Sequence, residues 1–172
     1  MHKSWRARSR RGSAARPDHK LGEIPRFTSG FSEFDRVLGG GIVPGSVILL
    51  GGSPGIGKSS ILLQVMCALS MSMKALYVTG EESMQQVALR ADRMLLPKDN
   101  LQVLNETEIS SMLNHAQQVK PDIMVVDSIQ TAYLSELTTA AGGVSQVKES
   151  AAALTRFAKT TNTTIILVGH VT

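Results

Sequence analysis

The sequence is poor in cysteine and has no long apolar run. Cys67 is the single cysteine, so no disulfide can form within the chain, and we expect this thiol to be buried as a small hydrophobic group. No stretch is long and apolar enough to cross a membrane. The basic N-terminus lacks the apolar segment that a secretory signal carries behind its positive charges. These absences favour a cytoplasmic protein with a reduced thiol and no membrane partner.

Acidic residues are scarce at the start of the chain. The first 20 residues contain seven lysines or arginines and one aspartate, whereas residues 21–172 contain eleven basic and thirteen acidic residues. Residues 1–26 are also poor in aliphatic side chains, so we expect a disordered basic tail there and one folded domain over residues 27–172. Two interpretations of the tail stay open: an electrostatic arm for nucleic acid, with Trp5 as a stacking group, and a solvated tail without a ligand.

A complete phosphate-binding motif, G-x-x-x-x-G-K-[ST], is present in the first half of the domain. The apolar run before it predicts a buried strand and the run after it predicts a helix, which is the context in which this motif binds phosphates. We expect Lys58 to reach the β- and γ-phosphates and the Ser59 hydroxyl to hold Mg²⁺. The predicted nucleotide-binding residues are Gly52, Ser53, Pro54, Gly55, Ile56, Gly57, Lys58, Ser59 and Ser60.

Apolar runs and amphipathic segments alternate through the rest of the chain. This alternation is typical of an α/β domain in which helices cover both faces of a mostly parallel sheet. The sequence ends directly after a predicted strand, where an exposed apolar edge would remain. We therefore expect a sheet that is incomplete at the C-terminus, in a chain that is a fragment. The predicted strands are 46–51, 75–79, 101–104, 122–127 and 164–169, and the predicted helices are 60–69, 84–95, 106–119 and 144–160.

Polar side chains follow three of the predicted strands. Because the carboxyl ends of parallel strands meet at one edge of a sheet, we expect Glu81, Asp127 and His170 to lie near the phosphate loop. Asp127 would orient the Mg²⁺ shell, Glu81 would polarise the attacking water, and His170 would sense the γ-phosphate. Structural roles remain open, since Asp127 can start a turn, Glu81 and Glu82 can cap the next helix, with Glu82 the better placed, and a lone histidine is usually an ordinary polar residue.

A long polar connection follows Asp127, over about residues 130–143. Connections of this length without regular structure are usually functional or disordered, and its composition favours mobility. Tyr133 could stack on a base and Lys148 could contact a phosphate, which would make this segment a surface for DNA. Neither residue is diagnostic, and for each one taken alone a surface connection without a ligand is the favoured interpretation.

Three strings are more specific than a phosphate loop: G-E-E-S at 80–83, D-S-I-Q-T at 127–131 and V-G-H-V-T at 168–172. Together with the loop, they make residues 27–172 resemble the RadA/Sms family of bacterial RecA-like DNA repair ATPases. The resemblance implies a RecA-like fold with ATP and Mg²⁺ as ligands. It implies an ATP hydrolase that depends on DNA and processes branched intermediates in recombinational repair. It also supports Glu81 as the water-activating carboxylate and His170 as the strand-end sensor.

The same resemblance implies three partners: single-stranded or branched DNA, a RecA-type recombinase, and further copies of the chain in a hexameric ring. Members of the family begin with a four-cysteine zinc finger, and this sequence has no cysteine before Cys67, so we expect no zinc. The family's K-N-R-F-G motif and Lon-protease-like domain are missing too. Two alternatives stay open: a KaiC-like or DnaB-like RecA-fold motor, against which the D-S-I-Q-T string argues, and a truncated nucleotide-binding module without turnover.

Overall fold

The computed structural model of the protein describes Asp35, residues 41–51 and residues 57–169. The predicted tail, most of the phosphate loop and His170 lie outside these residues. Strands and helices alternate in the described part, as the sequence predicts. In chain order they are β1 (Val47–Leu50), α1 (Lys58–Leu69), β2 (Ala75–Thr79), α2 (Met84–Arg93), β3 (Gln102–Asn105), α3 (Ile109–Val119), β4 (Ile123–Asp127), α4 (Val144–Thr161) and β5 (Thr164–Val168).

The five strands form one parallel sheet in the order β1-β5-β4-β2-β3. This arrangement confirms the predicted α/β class. The last strand in sequence is not at the edge, because β5 lies between β1 and β4. The apolar edge expected at the end of the chain is instead found on β1, where Leu49 is 67% exposed.

Side chains of the internal strands alternate between two apolar layers, as the period of two in a strand requires. One layer contains α1, α2 and strand residues such as Tyr77 and Val125. The other contains α3, α4 and strand residues such as Val78 and Val126. Cys67 is buried in the first layer, as predicted, and desolvation raises the pKa of its thiol. Within the described ranges, no helix is long and apolar enough to cross a bilayer.

Helix α2 ends at Arg93, two residues before the predicted end at Leu95. Leu95 is 90% exposed and has a left-handed φ of 57°, while Leu96 packs against the core in its place. The N–H of Leu96 donates to the carbonyl of Ala91 at 2.9 Å, and the N–H of Leu95 donates to Asp92 at 3.0 Å. These two bonds are the Schellman pattern, with leucine at the position that glycine usually takes.

Helix α3 begins three residues later than predicted because Glu108 is its N-cap. The Glu108 carboxylate accepts the N–H groups of Ser110 and Ser111 at 3.2 and 2.9 Å. Partial burial would raise the pKa of Glu108, but these bonds and the hydroxyls of Ser111 and Ser135 hold it below its ordinary value of 4.5. The prediction failed since a glutamate is an uncommon N-cap and the sequence favoured it as a helical residue.

Candidate nucleotide-binding site

The carboxyl ends of four strands form a continuous row at one edge of the sheet. Leu50 pairs with Val168, Val168 with Asp127, and Asp127 with Thr79. Ligands of open parallel sheets bind outside such a row. The N-terminus of α1 lies at the same edge, since Ser59 in its first turn contacts Asp127. The strand ends and the helix N-terminus on which the predicted site depends therefore lie at one edge of the sheet.

Ser59 and Asp127 are brought together as the sequence predicts. The Ser59 hydroxyl donates to Asp127 Oδ2 at 2.8 Å, although the two residues are 68 positions apart in the chain. Mg²⁺ in nucleotide sites prefers hard oxygen ligands and takes one or two of them from the protein. A hydroxyl and a carboxylate that converge at this distance fit that ion.

Tyr77 is a third member of this cluster, and its place there was not predicted from the sequence. Its hydroxyl donates to Asp127 Oδ2 at 3.4 Å. Burial and the negative charge of Asp127 raise the pKa of Tyr77, while Arg90 opposes the shift, so the phenol stays protonated and remains a donor. A signal was present: Tyr77 is the one residue with a hydroxyl inside the run 75–78, and buried tyrosines usually find a hydrogen-bond partner.

Lys58 connects the start of α1 to the end of β5. Its Nζ donates to the carbonyl of Gly169 at 2.6 Å. A lysine ammonium has three donors, so one side chain can contact both the strand end and an anion. His170 lies outside the described residues, but the residue before it is in contact with the phosphate-motif lysine. The predicted place of His170 at this edge stays a prediction.

Of the predicted phosphate loop, Gly57 to Ser60 are described and the five residues before them are not. Gly57 has a φ of 80° and is the N-cap of α1, a left-handed conformation that glycine adopts without strain. Among the described residues, no side chain caps this helix. The N-terminus of a helix favours an anion, because the helix dipole has its positive end there and the first N–H groups have no partner within the helix. Ser60 lies half-buried in the same turn.

Glu81 lies at the tip of a short turn that is held on both sides. The Glu82 N–H donates to Thr79 Oγ1 at 3.0 Å, and Asn105 Nδ2 donates to the Glu82 carbonyl at 2.7 Å. The N–H of Gly80 donates to the carbonyl of Asp127 at 2.8 Å. Glu81 itself is exposed, and no described residue forms a hydrogen bond or ion pair with its carboxylate. The turn thus presents this carboxylate at the same edge as Asp127.

The helix-capping role considered for Glu82 is wrong. Ser83 is the N-cap of α2, and it forms a capping box with Gln86. Glu82 instead pairs with Arg90, with Oε1 and the guanidinium nitrogen 2.8 Å apart. The two adjacent glutamates therefore differ: Glu82 is neutralised by an arginine, and Glu81 points into solvent.

The connection between β4 and α4 is attached to the domain at several points. The N–H of Tyr133 donates to Thr107 and its carbonyl accepts from Ile109, each at 2.9 Å. Gln146 is 1% exposed, and its amide bonds to both backbone groups of Leu134 and to the carbonyl of Thr139. This attachment differs from the mobile connection that its composition favoured. Lys148 is exposed on α4.

Comparison with known proteins agrees with this geometry. A family model described as an AAA domain matches residues 21–172. The DNA repair protein RadA of Haemophilus influenzae (strain ATCC 51907 / DSM 11121 / KW20 / Rd) is 62% identical over 152 residues, 88% of this chain and 33% of that protein. The DNA repair protein RadA of Escherichia coli (strain K12) is 57% identical over 155 residues, 90% of this chain and 34% of that protein. The chain spans about a third of the length of these curated relatives.

A solved structure supports the fold independently. The KaiC-like protein of Pyrococcus horikoshii OT3 superposes with a TM-score of 0.70 over 87% of this chain and 72% of that chain, at 19% sequence identity. At this identity, the likeness shows a shared RecA-like fold alone. On the family match, the chain belongs to the AAA domain family, and, as its motifs predict, it is similar to the DNA repair protein RadA over 88–90% of its own length.

Proposed function

We propose that this chain is the ATP-binding and ATP-hydrolysing core of a DNA-dependent ATPase that acts in recombinational DNA repair. The observation that carries the proposal is the 2.8 Å bond between the Ser59 hydroxyl and the Asp127 carboxylate. It joins the phosphate-binding motif to a strand-end acid, which is the pairing that triphosphate hydrolases use. The name of the relatives, DNA repair protein RadA, supports the biological setting.

The residues would share the chemistry as follows. Residues Gly52 to Ser60 hold the phosphates, Lys58 contacts the β- and γ-phosphates, and Ser59 and Asp127 hold Mg²⁺. When bound, this ion neutralises charge on the phosphate oxygens. Glu81 orients the attacking water and accepts its proton, a role that the rigid turn around it supports. His170 senses the γ-phosphate from the end of β5.

The partners belong to the same proposal. Single-stranded or branched DNA would contact the basic tail, the connection after β4, where Tyr133 supplies a ring, and the first turns of α4, where Lys148 supplies a charge. A RecA-type recombinase would be the protein partner, the working form would be a homo-hexamer, and the protein would act in the cytoplasm. The relatives' name supports a role in DNA repair, and the resemblance of the motifs to the RadA/Sms family is what supports the recombinase and the hexamer.

ATP turnover by the purified chain, with and without single-stranded DNA, tests the proposal. Lys58→Ala removes the phosphate ligand. Lys159→Ala, at an exposed position in the last turn of α4, is the matched control. We expect DNA to stimulate turnover, Lys58→Ala to abolish it, and Lys159→Ala to leave it within about twofold of the wild type. Nucleotide affinity is measured separately with a fluorescent ATP analogue.

Two results would contradict the proposal. Binding of nucleotide without turnover would make the chain a nucleotide-binding module, the alternative that the sequence left open. ATP turnover that DNA does not change would remove the DNA dependence and would favour the alternative of a KaiC-like or DnaB-like motor.

A further inference from the structure

Gly80, the residue before Glu81, lies against a side chain from the connection after β4. A Cβ atom at Gly80 would overlap Thr131 Oγ1, and it would come within 3.0 Å of both Thr131 Cβ and Thr107 Cγ2. Real Cβ atoms do not approach other atoms as closely as the first of these contacts. Glycine is therefore required here by a close approach of two segments, not by a left-handed backbone.

Thr131 also closes the turn that directly follows Asp127. Its hydroxyl donates to the carbonyl of Ser128 at 2.9 Å, and its N–H donates to the same carbonyl at 3.2 Å. The Ser128 N–H reaches back to Thr131 Oγ1 at 3.3 Å. One side chain thus fixes the shape of the turn after Asp127 and touches the backbone before Glu81.

Thr107, the second residue that Gly80 lies against, is held in place by the same connection after β4. Thr107 lies in the segment that pairs with Tyr133, with bonds of 2.9 Å from the Tyr133 N–H to Thr107 and from the Ile109 N–H to Tyr133. Gly80 is consequently enclosed by two threonines whose positions both depend on residues 131–133. The N–H of Gly80 donates to the carbonyl of Asp127 on the remaining side.

We propose that Thr131 is a positioning residue that sets the distance between the carboxylates of Asp127 and Glu81. It acts through Gly80, and its own hydroxyl bonds to the backbone of Ser128. The inference rests on the proposed function in that Glu81 is taken as the water-orienting carboxylate. Because displacement of a reacting group by about 1 Å can reduce turnover by about 100-fold, a small shift of the Gly80 turn is enough to matter.

The test compares Thr131→Val, which keeps the shape and removes the hydroxyl, with Thr131→Ser, which keeps the hydroxyl. Thr155→Val is the matched control, since that hydroxyl bonds to Ala151 within α4 at 2.7 Å. In Thr131→Val we expect amide hydrogen exchange at residues 80–83 to rise by about fivefold and turnover to fall by about tenfold. Nucleotide affinity should stay within about twofold, and Thr131→Ser and Thr155→Val should behave as the wild type.

Gly80→Ala adds a second, independent check. We expect it to reduce turnover by at least about tenfold, and we expect Thr131→Ala to restore part of that loss in the double variant because it removes the overlapping oxygen. Unchanged exchange at residues 80–83 in Thr131→Val overturns the inference, and so does a double variant no better than Gly80→Ala. If the wild type hydrolyses no ATP, the proposed function fails, while the exchange measurement still decides the role of Thr131.

Discussion

Strand β4 has an aspartate at each end, and the two carboxylates have different surroundings. Asp122, just before the strand, is 8% exposed, and its Oδ2 accepts the backbone N–H of Lys74 at 3.0 Å. Asp127, the last residue of the strand, is half-buried and accepts the hydroxyls of Ser59 and Tyr77. A backbone N–H donates to the first carboxylate, and two side-chain hydroxyls donate to the second.

Under the proposed function, this difference separates a structural acid, Asp122, from one that takes part in the chemistry, Asp127. A backbone N–H is fixed by the sheet, so the carboxylate of Asp122 completes the packing where β2, β4 and β5 begin. The neighbouring cavity of about 360 Å³ is lined by Lys74, Asp122 and Thr163, at the end of the sheet opposite Ser59. A serine hydroxyl can turn toward an ion instead. Two aspartates at the ends of one strand are therefore not distinguished by their residue type or by their strand. They are distinguished by the groups that contact their carboxylates.

Asp127→Asn should have the largest effect on turnover. The change keeps the shape and removes the charge that faces Ser59. Loss of the metal ligand should lower ATP turnover by about 10³-fold, since charge stabilisation by a bound metal contributes several kcal/mol. Steady-state turnover across a range of Mg²⁺ concentrations is the measurement, with thermal unfolding to show that the fold is kept. ATP turnover close to that of the wild type would mean that Asp127 contributes no more to catalysis than Asp122 does.

Glu81→Gln should come next, with Glu82→Gln as its matched control. General-base contributions are about 10² to 10⁴ in rate, so we expect turnover to fall by about 100-fold while ATP affinity is kept. Glu82 is bonded to Arg90 at 2.8 Å and both side chains are partly exposed, so its change should cost less than about 1 kcal/mol of unfolding free energy. Equal losses of turnover in the two variants would remove the special role of Glu81.

Asp122→Ala should lower the free energy of unfolding and leave ATP turnover per folded molecule nearly unchanged. It leaves the N–H of Lys74 without this acceptor, and an unsatisfied buried donor costs about 1–3 kcal/mol. Urea unfolding should show that loss, with Asp99→Ala at an exposed position as the control. Turnover per folded molecule should stay within about twofold of the wild type. A loss of turnover as large as that of Asp127→Asn would show that the amino end of the sheet also acts on the nucleotide.

The smallest effect expected is a pH dependence from Glu108, a carboxylate near the carboxyl edge with a structural role. Its pKa is lowered in the folded state, so its stabilisation is complete above the unfolded pKa and is lost as pH falls through the folded one. We expect Glu108→Ala to lower the melting temperature at neutral pH, and we expect that difference to shrink as pH falls below the ordinary value of 4.5. Since Glu108 is largely screened by solvent, the effect should be under about 1 kcal/mol. Glu149→Ala, exposed on α4, should show neither change.

Much of this arrangement could be predicted because it follows from local patterns. The period of the apolar residues predicts the strands, and parallel strands bring their carboxyl ends to one edge, which predicts the contact between Ser59 and Asp127. The position of β5 inside the sheet could not be predicted, since strand order depends on packing between distant segments. Gln146 and Thr131 were missed for the same reason: their partners become visible only when the connection after β4 is folded against its neighbours.

Because Cys67 is buried, the rate at which its thiol is modified measures how often α1 opens. This thiol lies within α1, on the helix that starts at Lys58, and no other residue of the sequence carries one. Its surroundings exclude reagents and raise its pKa, so it reacts only when the helix separates from the sheet. The rate at which a thiol reagent modifies Cys67 therefore reports how often α1 separates from the sheet. A ligand that binds at the start of α1 should lower the modification rate of Cys67. The measurement needs no label on the protein.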